Sequence, residues 1–157
     1  QDHYSCAQMG IDTNKGLLLT GPVGCGKTSL MKLLPHLASH KTNYEIIPTR
    51  NIVFNFNASG FEVLEKYNQT KNYCFDDLGV EPTGSHYAKE CNVLGEILLS
   101  RYELFCHPER SRRILTHITT NLNAEELEKR YGNRVRSRLR QMFNLISFDA
   151  STTDKRK

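Results

Sequence analysis

Apolar residues in this chain fall into five short runs. They are GLLLTG (16–21), YEIIPT (44–49), NYCFDD (72–77), RRILTHITTN (112–121) and FNLISFD (143–149). Each is short, bounded by polar residues or glycine, and reads as a buried strand. Between them the spacing becomes helical. Residues 28–38 follow the first run, and residues 50–68 follow the second with two apolar stretches, NIVFNF and FEVLEKY. The longest predicted helix covers 87–106, where Tyr87, Cys91, Leu94, Leu98, Tyr102 and Phe105 recur every three or four residues, with Pro108 ending it. Strands alternating with helices predict an α/β domain with a parallel sheet.

A length of 157 residues suffices for one core, and 38% hydrophobic with 24% charged residues fits a globular chain rather than a disordered one. No run approaches the roughly 18 apolar residues of a membrane span. The first residue is Gln1, which predicts a piece trimmed from a longer protein. Residues 1–15 then form a linker remnant, 16–150 the core and 151–157 a frayed tail. Cys6, Cys25, Cys74, Cys91 and Cys106 form no CxxC pair and are odd in number, which predicts reduced thiols in the cytoplasm rather than disulfides or zinc. The net charge of +4 is uneven: residues 110–157 hold 12 basic and 5 acidic side chains. Such a basic third suits a polyanion, nucleic acid or nucleotide phosphate, or a solvated face.

GPVGCGKT matches G-x-x-x-x-G-K-[ST] in full and lies between a strand and a helix, as a phosphate loop must. Gly21, Gly24 and Gly26 let the backbone wrap phosphate oxygens, so the whole run Gly21, Pro22, Val23, Gly24, Cys25, Gly26, Lys27, Thr28 and Ser29 is the expected nucleotide cradle. The helix N-terminus adds its partial positive charge. Lys27 is assigned to the β- and γ-phosphates and Thr28 to Mg²⁺, so the expected cofactors are ATP and Mg²⁺. Cys25 reads as an inert small residue or an oxidation-sensitive one.

The third run ends in Asp76 and Asp77. Phosphoryl transfer needs a carboxylate near the metal and a group that polarises the attacking water, and these two fit those roles in that order. Both strand ends should face one crevice. The fourth run ends in Asn121, which either holds water against a γ-phosphate or caps the following helix, where Asn123 is the better cap. RYGNRVRSRLRQMF (130–143) then packs five arginines into eleven residues. Gly132 should stop one helix and Asn133 start another. On a helical wheel Val135, Leu139, Met142 and Phe143 form one apolar stripe, with Arg134 and Arg138 on one flank and Arg136 and Arg140 on the other. One pair could serve phosphate while the other serves solvent or DNA.

The phosphate loop, FDDLG, TTNL and RYGNRVRSRL in this order resemble the AAA+ ATPases of the helicase-loader type, the DnaC loaders and IstB transposition helpers, over about Gly16 to Asp149. The resemblance implies a three-layer P-loop fold with strand order 5-1-4-3-2. It makes the Asp76–Asp77 pair the Walker B element and Asn121 sensor 1. It makes Arg138, with Arg134 as alternative, a finger on the neighbouring subunit's nucleotide. It implies self-association through nucleotide-bridged interfaces, action on single- or double-stranded DNA, for which the wheel leaves Arg136 and Arg140 as candidate contacts, and a helicase or transposase partner bound through an N-terminal region missing here. Residues 50–68 sit where replication initiators carry an extra helix lining a DNA channel. Asp77 replaces the Glu of many AAA+ proteins, and no helical lid or sensor-2 arginine is found. That leaves a loader, a transposition helper, a small-molecule P-loop kinase or a non-hydrolysing nucleotide-gated adaptor. A small-molecule kinase would need a lid arginine cluster and an acceptor pocket. A GTPase would need N-K-x-D after the fourth strand.

Overall fold

The computed structural model describes residues 10–37, 43–107 and 114–149. The elements run β1 (Gly16–Thr20), α1 (Lys27–Leu37), β2 (Glu45–Pro48), α2 (Thr49–Ser59), α3 (Glu62–Tyr67), β3 (Tyr73–Leu78), β4 (Gly84–His86), β5 (Lys89–Cys91), α4 (Val93–Cys106), β6 (Thr116–Thr120), α5 (Ala124–Met142) and β7 (Phe143–Ser147). Five strands form a parallel sheet in the order β2-β3-β6-β1-β7, and β4 and β5 form a separate antiparallel hairpin. The numbers differ from the expected 5-1-4-3-2 because the hairpin, absent from the expectation, takes two of them. The tail 151–157, Cys6, Pro108, the start of the fourth run at Arg112 and Arg113, and most of the 1–15 linker lie outside the described residues.

Each sheet face buries its own cluster. On one side Leu18, Phe75 and Ile118 meet α2 to α5 through Ile52, Phe56, Leu94, Leu98, Leu139 and Met142. On the other, Leu19, Met31, Tyr44 and Cys74 pack with Leu30, Leu34 and Ile146. Burial on both faces explains why β1 and the start of β3 read as continuous apolar runs rather than alternating ones, while β6 is equally buried but holds threonines and His117 around a single Ile118. Arg101 of α4, only 1% exposed, donates to Thr116 Oγ1 at 2.9 Å and to the carbonyls of Gln69 and Lys71 at 2.8 Å each. Its guanidinium thus ties the start of β6 to the loop before β3, and those bonds offset the cost of burying a charge.

Two expected helices differ. The 50–68 segment is two helices, because Gly60 takes φ 70 and ends α2. An L-residue there would meet the His86 ring 2.6 Å from its Cβ as well as a strained backbone. The 87–106 helix begins only at Val93, where the Asn92 side chain accepts the Gly95 N–H at 3.1 Å. Cys91 belongs to β5, and Tyr87 lies at the hairpin tip, 89% exposed with φ 48. Their helical spacing was coincidental. The hairpin docks on α2 instead, with the Ser85 N–H donating to Asn57 Oδ1 at 2.7 Å.

The final helix carries its break where glycine predicted it. Gly132 has φ 84 and ψ 164, non-helical values inside α5. At the other end Asn123 and Glu126 form a capping box, with Asn123 Oδ1 accepting from the N–H groups of Glu125 and Glu126. Asn121 is therefore not the cap.

Candidate functional site

The C-terminal ends of β1, β3 and β6 converge on one cavity of about 490 Å³. It is lined by Val23 through Leu30, Leu33, Asp77, Asn121 and Phe148. The order of the sheet produces this convergence. β6 lies between β1 and β3, so the polar tip of β6 stands between the loop after β1 and the acids of β3.

The loop from Gly21 to Gly26 follows β1 and delivers Lys27 to the first turn of α1. Gly21, Gly24 and Gly26 have φ of 153, 81 and 97. At Gly21 space matters as well, since a Cβ would lie 2.7 Å from Phe148 Cβ. Lys27 is 5% exposed. Its Nζ donates to Gly21 O, Pro22 O and Asn121 Oδ1, each at 2.8 Å. The ammonium is thus held over the loop by carbonyl oxygens, positions from which it can turn to phosphate oxygens.

The acidic side is equally ordered. Thr28 Oγ1 donates to Asp76 Oδ1 at 2.9 Å, and Thr119 Oγ1 donates to the same oxygen at 2.6 Å. The Asp77 N–H donates to Thr119 Oγ1 at 2.8 Å, and Thr49 Oγ1 donates to Asp77 O at 2.9 Å. Asp76 is buried, while Asp77 turns into the cavity with a left-handed φ of 58. β3 ends irregularly, its register to β6 shifting between Phe75 and Leu78. That irregularity separates the two acids in space: Asp76 towards Thr28, Asp77 towards Asn121 and the loop.

These residues fit a magnesium nucleotide. The loop offers backbone N–H groups at a helix start, and a hydroxyl and a carboxylate already meet at 2.9 Å where a divalent cation would bind both. Thr49 and Thr119, which fix Asp76 and Asp77, were not singled out from the sequence. Thr119 carried a signal, as a strand-end threonine beside Asn121.

The arginines separate as the wheel predicted, with partners that the wheel did not show. Val135, Leu139, Met142 and Phe143 are buried. Arg138 lies over the Tyr102 ring, 4.2 Å from its centroid, and its Nη1 donates to Tyr102 Oη at 3.2 Å. Tyr102 Oη in turn donates to Gln141 Oε1 at 2.6 Å. Arg134 and Arg138 border a shallow depression with Asn133 and Ser137, apart from the phosphate-loop cavity. Arg136 pairs with Glu128, and with Arg140 it borders an apolar cleft of about 440 Å³ that also reaches Thr20, Gly21 and Phe148. The arginines that the resemblance assigned to a neighbour's nucleotide thus do not line this chain's own phosphate-loop cavity. The pair assigned to DNA includes one, Arg136, already engaged with a carboxylate.

Fold and site together define a P-loop nucleotide-binding protein of the α/β class with a five-stranded parallel sheet. Solved structures share this fold, among them the following two. DnaA from Aquifex aeolicus bound to AMPPCP superposes with a TM-score of 0.60 at 15% identity, over 94% of this chain and 45% of that one. A DNA replication initiation factor superposes with a TM-score of 0.57 at 12% identity, over 94% of this chain and 44% of that one. The chain spans less than half the length of either structure, and at these identities the likeness is one of fold. No curated protein sequence matches the chain. A family model described as RNA helicase matches residues 17–109, which include the phosphate loop and both aspartates, and the chain belongs to that family.

Proposed function

We propose that this chain is the ATP-hydrolysing core of an oligomeric AAA+ protein acting on nucleic acid in DNA replication, in the manner of a DnaC-type helicase loader. The observation that carries the reading is a pair of hydrogen-bonded sets at one cavity, Lys27 with Asn121, and Thr28 with Asp76, Thr119 and Asp77. A phosphate loop, two acids and an amide lie together in one place, which supports giving Asp76 the metal, Asp77 the water and Asn121 the sensor role.

Bound in this cavity, Mg²⁺–ATP supplies a γ-phosphoryl group whose transfer to water needs positioning and charge stabilisation. Lys27 exchanges its carbonyl partners for phosphate oxygens. Thr28 and Asp76 would hold Mg²⁺, which would supply charge stabilisation at the phosphates. Asp77 polarises the attacking water, and Asn121, released by Lys27, orients it. Arg138, with Arg134 beside it, reaches the nucleotide of a neighbouring copy and stabilises developing charge. Arg140, and Arg136 if it leaves Glu128, contact the DNA backbone.

The experiment is phosphate release by the full-length protein with and without single- and double-stranded DNA, combined with pull-down against the replicative helicase. DNA-stimulated hydrolysis and helicase capture are the expected results. Capture of a transposase instead moves the protein to the IstB type, and nucleotide binding without hydrolysis under all conditions makes it a gated adaptor. A second reading, direct unwinding by the chain itself, is favoured by the description of its family as RNA helicase. Displacement of a labelled strand from an RNA or DNA duplex by the isolated protein would establish that reading over the first.

A further inference from the structure

Glu81 follows the acidic loop by four residues and is 4% exposed. A buried carboxylate is costly unless both oxygens find partners. Here they find them in two different parts of the chain. Oε2 accepts the Gly79 N–H at 2.8 Å, closing the turn that begins at Asp77, where the Val80 N–H also donates to Asp77 O at 3.3 Å. Oε1 accepts from the Tyr131 hydroxyl and lies 3.5 Å from Arg130 Nε, while Arg130 Nη2 donates to the Glu81 carbonyl. Asn92 adds a bond from its Nδ2 to Arg130 O at 3.1 Å. Tyr131 is the last residue before the break at Gly132, and the segment beyond that break carries Arg134 and Arg138.

We propose that Glu81 is a positioning residue that holds the Asp77 turn and the arginine segment in one register within each subunit. This rests on the roles given to Asp77 and Arg138 above. Those two groups serve different nucleotides, the acid its own and the arginine a neighbour's. Glu81 makes them one rigid unit, so that a turn set by this subunit's nucleotide sets the aim of the arginine it offers next door. Gly132 supplies the backbone freedom that makes such fixing necessary: its φ of 84 lies where glycine goes without strain, and among the described residues nothing outside its own helix and chain neighbours comes within 4 Å of where a Cβ would lie.

Subunit mixing separates this from a purely structural ion pair. Asp77→Asn mixed with Arg138→Ala creates interfaces with an intact acid from one and an intact arginine from the other. Random mixing at equal amounts should restore about one quarter of wild-type hydrolysis. Glu81→Gln keeps the volume and an acceptor for the Gly79 N–H but removes the charge. Alone it should lower kcat by about 10²-fold, the scale of a small displacement at a reacting centre, with little change in the affinity for a ribose-labelled ATP. Mixed with Arg138→Ala it should restore nothing, because it misplaces both groups. Recovery equal to that of the Asp77→Asn mixture would overturn the proposal, since Glu81 would then act on the acid alone. No recovery in the Asp77→Asn mixture itself would refute the role of Arg138, and the proposal with it. If Glu81→Gln does not fold, Tyr131→Phe, which keeps the buried ring and loses only the hydroxyl, is mixed with Arg138→Ala and judged by the same two outcomes.

Discussion

His117 sits in the middle of the sheet, and acid should destabilise the protein through it. Its Nδ1 accepts the Leu17 N–H at 3.1 Å, its ring lies against Tyr44 with centroids 4.6 Å apart, and its buried Nε2 has no hydrogen-bond partner among the described residues. Burial therefore holds the imidazole neutral, with its pKa pushed down to about 4 from the ordinary 6.5. The unfolded chain takes up the proton first as pH falls, so stability is full above about pH 6.5 and declines towards pH 4, below which the loss is complete. A fall from 6.5 to about 4 corresponds to a total of roughly 3 kcal/mol, of which about 2 kcal/mol is lost by pH 5. For a domain of this size that is a fall in Tm of roughly 4–8 °C. Carboxylates contribute slopes of their own, so the measurement is the difference between wild type and His117→Asn, whose amide oxygen can replace Nδ1 as acceptor. Urea or thermal denaturation between pH 7 and pH 5 should show a shallower slope in the variant. Equal slopes in the two proteins would refute the argument.

Lys27→Ala should abolish binding of a fluorescent ATP analogue while leaving the fold intact, and unchanged affinity would remove the phosphate-loop assignment. Gly21→Ala should cost about 1–3 kcal/mol in urea denaturation, because its φ of 153 and a Cβ 2.7 Å from Phe148 act together. Gly26→Ala tests φ alone, since among the described residues nothing beyond its chain neighbours lies within 4 Å of where its Cβ would be, and should cost less. Arg138→Ala should leave nucleotide binding near normal and remove stimulated hydrolysis. If it instead weakens DNA binding and lowers the salt slope by about one, Arg138 is a DNA phosphate contact. Arg140→Ala is the positive comparison for that measurement.

The sheet was legible because its inner strands are buried on both faces and its partly exposed edge strands β2 and β7 are short apolar runs bounded by polar residues. The phosphate loop was legible because its glycines are forced by backbone geometry. The break at Gly132 followed from the same residue type, whereas the equivalent break at Gly60 sat inside a segment whose apolar stretches looked continuous enough. The hairpin escaped because Tyr87 and Cys91 happened to lie at helical spacing before Leu94, and periodicity cannot tell a register coincidence from a face. The partners of the site escaped for a different reason. Glu81 looks like any charged loop residue until Tyr131 and Arg130, some fifty positions away, are seen to enclose it. Likewise Tyr102 read as part of an apolar stripe, and only the packing of α4 on α5 shows it carrying Arg138.

The left-handed backbone at Asp77 bears on which acid can stand there. Among residues with a side chain, that region is most accessible to asparagine and aspartate, whose short polar groups bond locally, and longer side chains pay roughly 1 kcal/mol or more. Glutamate, which many AAA+ proteins carry at this place, would gain one methylene of reach and lose that much in backbone strain. Asp77→Glu is thus not a conservative exchange in this chain. Asp77→Asn, which shares the backbone tolerance, is the substitution that isolates the carboxylate's chemistry from the shape of the turn that presents it.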